Sequence, residues 1–248
     1  MYYHYITEKV SAILHSEASK YYLSYFWWVL EPLLLLVVYY IVFGLLFERG
    51  GKGFITELMI GITVWGWFAS SVSASMPSIL ESKGLINQVY APKFIFPIIK
   101  ITVCSFKQIL AFLLLFVFLL ALEKPSFYWL HFLPLMAIQL IVISGVGVLL
   151  AGLIPFLPDL KMLVQLGITM MMFLSGVFYT IERVPVEYRE YFLYNPMANL
   201  IHQYHLILIH HQAPDYWSLS IIVLIFSMLL WLGLRMIRKF DRLYPRIV

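Results

Sequence analysis

Charge is scarce in this sequence. Asp, Glu, Lys and Arg make up 12% of 248 residues, against about a quarter in an ordinary soluble domain. Hydrophobic residues make up 62%, and the mean hydropathy is +0.87, more apolar surface than a soluble core of this length can hide. Cysteine is nearly absent. Cys104 stands alone, so no disulfide forms within the chain and redox compartment is not legible. Strand-like alternation of apolar and polar residues is missing, which argues against an outer-membrane barrel. The first apolar run is too long for a signal h-region and no small-residue cleavage site follows it, so no cleavable signal is expected.

Catalytic motifs are also missing. There is no G-x-x-x-x-G-K-[ST], and the cluster Gly50-Gly51-Lys52-Gly53 reads as a turn with no phosphate-binding helix after it. H-E-x-x-H and G-x-S-x-G do not occur. His202 and His205, followed by His210 and His211, make a metal site conceivable, but no well-spaced carboxylate shares their face. Interfacial or core histidines are the competing account.

What the chain does have is length in its apolar runs. Six qualify, at about 25–47, 57–76, 101–122, 130–154, 161–180 and 216–237. A span needs about 20 apolar residues, because the hydrocarbon layer is roughly 30 Å thick and a helix rises about 1.5 Å per residue. Lipid offers the backbone no hydrogen bonds, so each run is predicted to be helical. The expected fold class is an all-α membrane protein: one transmembrane domain over 1–248, with six transmembrane helices. Residues 1–22 place Ile6, Val10, Ile13, Leu14 and Tyr21 at helical spacing, which predicts an amphipathic helix lying along the membrane interface.

Basic residues are distributed unevenly. With the N-terminus inside, the cytoplasmic side holds Lys9, Lys20, Lys83, Lys93, Lys100, Lys107, Lys161, Arg235, Arg238, Lys239, Arg242 and Arg246. The outer side holds Arg49, Lys52, Lys124, Arg183 and Arg189. Twelve against five puts both termini in the cytoplasm. This rule also accounts for the net charge of +4 without invoking nucleic acid.

Several polar features interrupt the runs. Glu31-Pro32 lies near the cytoplasmic end of the first, where a carboxylate either snorkels or meets a partner. Lys107 falls inside the third, reaching either the interface or an anionic lipid headgroup. Gly66, Ser70 and Ala74 stand four apart in the second run, and Gly147 and Ala151 do so in the fourth, which are signals of close helix packing. Between the fifth and sixth runs, 181–215 carries Pro185, Asn195-Pro196 and a stretch from Leu200 to Ile209 too short to span. A re-entrant or interfacial helical hairpin is expected there.

Three patches resemble the permease subunits of ABC exporters, in the polysaccharide-export branch of the type-II family that handles O-antigen, capsule and teichoic-acid chains. The first is "LSYFWWVLEPL" (23–33), with Ser24, Trp27 and Pro32 at the family's spacing, although glycine is commoner at the first position. The second is Leu85-Ile86, Val89-Tyr90, Pro92-Lys93 and Pro97, which match its cytoplasmic loop. The third is Asn195-Pro196-Met197 with Leu200-Ile201 and Tyr204, where an arginine is usual at the place of His205.

The resemblance implies a homodimeric permease without catalysis of its own. Two copies of a cytoplasmic ATPase subunit would bind ATP and Mg; no cofactor is expected in this chain. The loop at 77–100 would hold a coupling helix, with Glu81, Lys83, Gly84, Asn87, Tyr90 and Pro92 as docking candidates. A lipid-linked polysaccharide, O-antigen foremost, would cross the cytoplasmic membrane. Aromatic faces suit sugar C–H groups, so Tyr39, Tyr40, Phe43, Phe173 and Tyr179 are candidates for the pathway wall, with core packing as the alternative. The 181–215 segment would act as an outer gate through Tyr191, Tyr194, Asn195 and Pro196. The rival readings are an exporter of a small lipid or drug, and a polytopic enzyme acting on a lipid-linked substrate through the His202/His205 and Glu187/Glu190 region.

Overall fold

The computed structural model describes residues 2–19, 24–46, 53–88, 91–123 and 125–247. Among these residues every regular element is helical. The elements are α1 (Tyr2–Ser19), α2 (Ser24–Tyr39, continued by a π-helical Tyr40–Leu46), α3 (Phe54–Ser75), α4 (Ser78–Glu81), α5 (Lys83–Gln88) and α6 (Ile95–Leu122). Then follow α7 (Phe132–Leu153, entered through the 3-10 turn Phe127–His131), α8 (Leu160–Leu174), α9 (Arg189–Leu193), α10 (Pro196–Leu208), α11 (Tyr216–Lys239) and α12 (Tyr244–Ile247).

Four of these are long and apolar enough to cross a membrane: Phe54–Ser75, Ile95–Leu122, Phe127–Leu153 and Tyr216–Lys239. The first and fifth expected spans correspond to shorter apolar helices, Leu33–Leu46 and Leu160–Leu174. The fifth run stops at Leu174 because Gly176 adopts φ +72, a left-handed conformation that ends the helix. The chain turns there and sends Val177 and Phe178 back into the core. The third run starts earlier than its hydropathy suggests. Pro97 sits in the first turn of α6, where a missing N–H costs little.

Small residues set how closely the helices pack. The backbone of α11 lies against α7 at Gly145, where an added Cβ would come 2.5 Å from the Phe226 carbonyl oxygen. At Gly233 an added Cβ would come 2.8 Å from the Leu149 nitrogen. Gly147, part of the expected stripe, faces Ser75 of α3. Gly66 behaves differently. A Cβ there would meet nothing within 4 Å, so Gly66 itself borders open space, while the Ser70 carbonyl one turn on meets Cys104 of α6.

Polar side chains stitch the interior. Gln139 of α7 donates to the Val64 carbonyl at 2.8 Å and accepts from the Tyr204 hydroxyl of α10 at 3.0 Å. Gln108 of α6 donates to the neighbouring Thr63 carbonyl at 2.9 Å. Gln139 and Tyr204 are wholly buried, where an unmatched amide or hydroxyl would cost about 1–3 kcal/mol, so these links fix the register of α3, α7 and α10.

The bundle has two distinct ends. The basal end gathers both termini, α4, α5 and the α7–α8 turn. The expected amphipathic face of α1 packs there, Val10 and Leu14 meeting Ile95, Ile99 and Val103 of α6; Tyr21 lies outside the described residues. The apical end gathers the starts of α3, α7 and α11 with α9 and α10.

Candidate functional site

At the basal end, α4 and α5 form a short projection. Ile79 and Ile86 are buried and anchor it, while Lys83 and Gly84 face outward. An added Cβ at Gly84 meets nothing within 4 Å. Glu81 pairs with Lys100 at 3.1 Å, both partly exposed. The side chain of Asn87 and all of Tyr90 lie outside the described residues, so the structure places four of the six docking candidates. The Pro92 carbonyl accepts from the Ile95 N–H at 3.1 Å and so opens α6.

A clamp holds the loop that follows this projection, and of its residues the sequence singled out only Lys93, as part of the loop patch. Lys93 is only 2% exposed, which makes it a structural cation and not a solvent-facing one. Its backbone N–H and its ammonium both reach the Asp241 carboxylate, at 3.1 and 3.4 Å. Arg238 lies 5.6 Å from the Phe94 ring centroid. Tyr244 is fully buried and donates to the Gly152 carbonyl at 3.0 Å. Burial, joined by the Asp241 carboxylate, pushes its phenol pKa up, so it stays a neutral donor. Phe156 of the α7–α8 turn fits between Phe240 and Tyr244, with centroids 5.4 Å from each. The C-terminal segment thus ties loop 91–95 to the α7–α8 turn. Asp241, one acid among Arg235, Arg238, Lys239 and Arg242, was the only hint in the sequence.

At the apical end the aromatic candidates converge on a residue that hydropathy hid. Phe178, 3% exposed, stacks on Phe43 at 4.6 Å, meets Tyr39 edge-on at 4.7 Å and meets Phe173 at 5.3 Å. Tyr179 donates to the Phe173 carbonyl at 3.0 Å and lies 5.8 Å from Phe192. Tyr40 does not join them. Its ring covers Gly44 within the π-helical turn, where a Cβ would come within 2.8 Å. Phe173 remains half exposed, while Tyr39 and Phe43 are partly buried.

Beyond this cluster opens a hollow of about 800 Å³, walled by Tyr179, Arg183, Tyr188, Tyr191, Phe192 and Asn195. Tyr191 and Tyr194 stand edge-on at 6.0 Å and are 69% and 71% exposed. Asn195 organises the segment. Its Oδ1 caps α10 by accepting from Met197 and Ala198, and its Nδ2 donates to the Leu174 carbonyl and the Ser175 hydroxyl at 3.2 and 2.9 Å. Pro196 occupies the first helical position. Arg189 staples the turns before α9 by donating to the Glu182 and Val184 carbonyls, both at 2.9 Å.

Within α10, Leu200, Ile201, Ile207 and Leu208 are buried inside the bundle, while Leu206 and the residue that follows the helix, Ile209, are half-buried. His205 is also buried. Its Nε2 meets the Glu57 carbonyl at 3.1 Å, and since a carbonyl only accepts, this nitrogen carries the proton. Burial pushes its pKa down to about 4. Glu187 and Glu190 are exposed. Among the described residues no group of three or more His, Cys, Asp or Glu side chains is placed to hold a metal ion.

Known proteins resemble this chain in sequence. The chain is 26% identical over 231 residues to "O-antigen export system permease protein RfbA" of Klebsiella pneumoniae, covering 90% of this chain and 87% of that one. A Myxococcus xanthus protein of the same name is 24% identical, with coverage of 85% and 82%. "Polysialic acid transport protein KpsM" of Escherichia coli is 22% identical, with coverage of 88% and 86%. Residues 8–209 match the ABC-2 type transporter family, and the chain belongs to that family of membrane permeases.

Proposed function

We propose that this chain is the membrane-spanning subunit of an ATP-driven exporter that moves a lipid-linked polysaccharide, O-antigen foremost, across the cytoplasmic membrane. The observation that carries this reading is the aromatic-walled apical hollow, whose Tyr179 bonds back to Phe173 of the Phe178 cluster. It offers flat apolar faces to a sugar chain without a fixed pattern of hydrogen bonds. The names of the similar proteins support the same cargo.

The remaining parts follow from that assignment. The chain carries no nucleotide-binding motif, so ATP and Mg bind a separate cytoplasmic subunit, two copies of which dock on α4 and α5. Six spans are completed by α2 with its π-helical extension and by α8, in a homodimer that covers both. The exposure of Leu163, Leu166, Met170 and Phe173 on α8 supports such a partner. Both termini are cytoplasmic, since the basal end carries the excess of lysine and arginine. The two short helices α9 and α10 form the outer hairpin, which dips into the outer leaflet with its backbone satisfied inside the bundle and gates the exit.

Deletion of the gene tests the cargo. Surface polysaccharide is expected to disappear while lipid-linked chains accumulate in the inner membrane, and the intact gene restores export. Normal surface polysaccharide together with new drug sensitivity would instead assign the chain to small-molecule export.

A further inference from the structure

A second pocket lies on another face of the bundle. It has a volume of about 350 Å³ and opens between α2, α3 and α6, lined by Trp28, Glu31, Ser70, Lys107 and Gln108, with Leu35 and Ile62 as its apolar wall. Gly66 and Ser70 of the small-residue stripe of α3 line its floor, and Gly66 has nothing within 4 Å of where a Cβ would be. We propose that this pocket holds the headgroup of one bilayer phospholipid carrying both a phosphate and a primary ammonium, the phosphatidylethanolamine class, with the phosphate on Lys107 and the amine on Glu31.

Depth is the first argument. α1 packs on α6 through Ile95, Ile99 and Val103, and Trp28 packs against the same cluster. Lys107 lies one helical turn beyond Val103, so the pocket opens directly beneath an amphipathic helix of the kind that rests in the headgroup layer. α6 has 28 residues, about 42 Å of helix against roughly 30 Å of hydrocarbon, which leaves its first turns in the headgroup layer. A lysine one turn deeper reaches back to that layer.

Charge is the second. Among the described residues, the pocket's lining carries one cation, Lys107, and one carboxylate, Glu31. The Lys107 ammonium is held 5.2 Å from the Trp28 ring centroid, at the pocket's wall. A purely anionic headgroup would be attracted by Lys107 and repelled by Glu31, whereas a headgroup with both charges is complementary to the two together in a low-dielectric setting. Gln108 and Ser70 add polar contacts, and the acyl chains would follow Leu35 and Ile62.

The test uses the full-length chain in nanodiscs of defined lipid mixtures, with retained lipid measured by native mass spectrometry after detergent exchange. The wild type is expected to retain phosphatidylethanolamine over phosphatidylglycerol by about fivefold, the factor of a partly exposed ion pair. Glu31→Gln is expected to erase that preference by raising phosphatidylglycerol. Lys107→Met, and independently Gly66→Leu, which fills the floor without touching a charge, are expected to lose both lipids. Equal retention of the two lipids by the wild type overturns the proposal. So does a preference that survives Glu31→Gln, or retention unchanged in both pocket variants. Tighter retention of a polyprenyl phosphate than of phosphatidylethanolamine also overturns it, because the pocket would then serve the cargo's carrier. The wild-type comparison stands even where a variant fails to fold.

Discussion

The two ends of the bundle are held by different physics. The basal end is fastened by charge: Lys93 on Asp241, Lys100 on Glu81 and Arg238 over Phe94, with Tyr244 as a neutral bolt. The apical end is fastened by aromatic packing and by neutral hydrogen bonds from Asn195, Gln139 and Tyr204. A few long-range ion pairs give a surface that moves as one block, because each link fixes both position and partner. Ring contacts are broad and shallow in energy, so a wall built from them can shift without breaking any single strong bond. That division suits a molecule pushed from one end while something slides past the other.

Removing Asp241 is the severest way to break the contrast. Asp241→Ala takes the carboxylate away from a Lys93 ammonium at 2% exposure, which costs about 3 kcal/mol, the low end for a buried pair because Asp241 itself keeps 16% exposure. The protein is expected to melt markedly earlier in detergent, while the double change with Lys93→Met recovers most of the loss. If the double variant melts as early as the single one, the clamp is not electrostatic.

A smaller effect is expected at the other end. Asn195→Ala removes the cap of α10 and two bonds to the end of α8, for about 1–2 kcal/mol. Hydrogen exchange is expected to rise in 196–208 while the basal segments stay protected. Faster exchange at both ends together would show that the ends are one cooperative unit and not two.

The smallest structural effect comes from Gly84→Arg, since the position is exposed and borders open space. Stability is expected to stay within about 0.5 kcal/mol, as for ordinary surface changes, yet the bulky cation should block docking and uncouple ATP hydrolysis from export. The readout is co-purification with the ATPase alongside an export assay. Full export would remove the α4–α5 projection from the coupling role.

Much of this was legible before the fold. A run of apolar residues is a local, additive property, so the helices at 54–75, 95–122, 127–153 and 216–239 could be read from hydropathy with errors of a few residues at their ends. The face of α1 carried by Val10 and Leu14 followed from its period, and Asn195-Pro196 announced the start of α10. Small-residue stripes were less informative, because the same pattern that lets Gly147 meet α3 leaves Gly66 facing a pocket. Spacing says that a helix can approach there. It does not say that one does.

By itself, then, the sequence determined the solvent, the class of fold and the rough positions of the long helices, because lipid imposes those demands on each segment separately. Only the tertiary structure decided that Phe178 would gather Tyr39, Phe43 and Phe173 while Tyr40 turned away. It likewise decided that Asp241 and Lys93, 148 positions apart, would meet, and that Glu31 and Lys107 would share one pocket. Each is a pairing between distant segments, fixed by how closely glycines such as Gly145 and Gly233 let the helices approach and by where Gly176 bends the chain. No local pattern encodes a partner that lies on another helix.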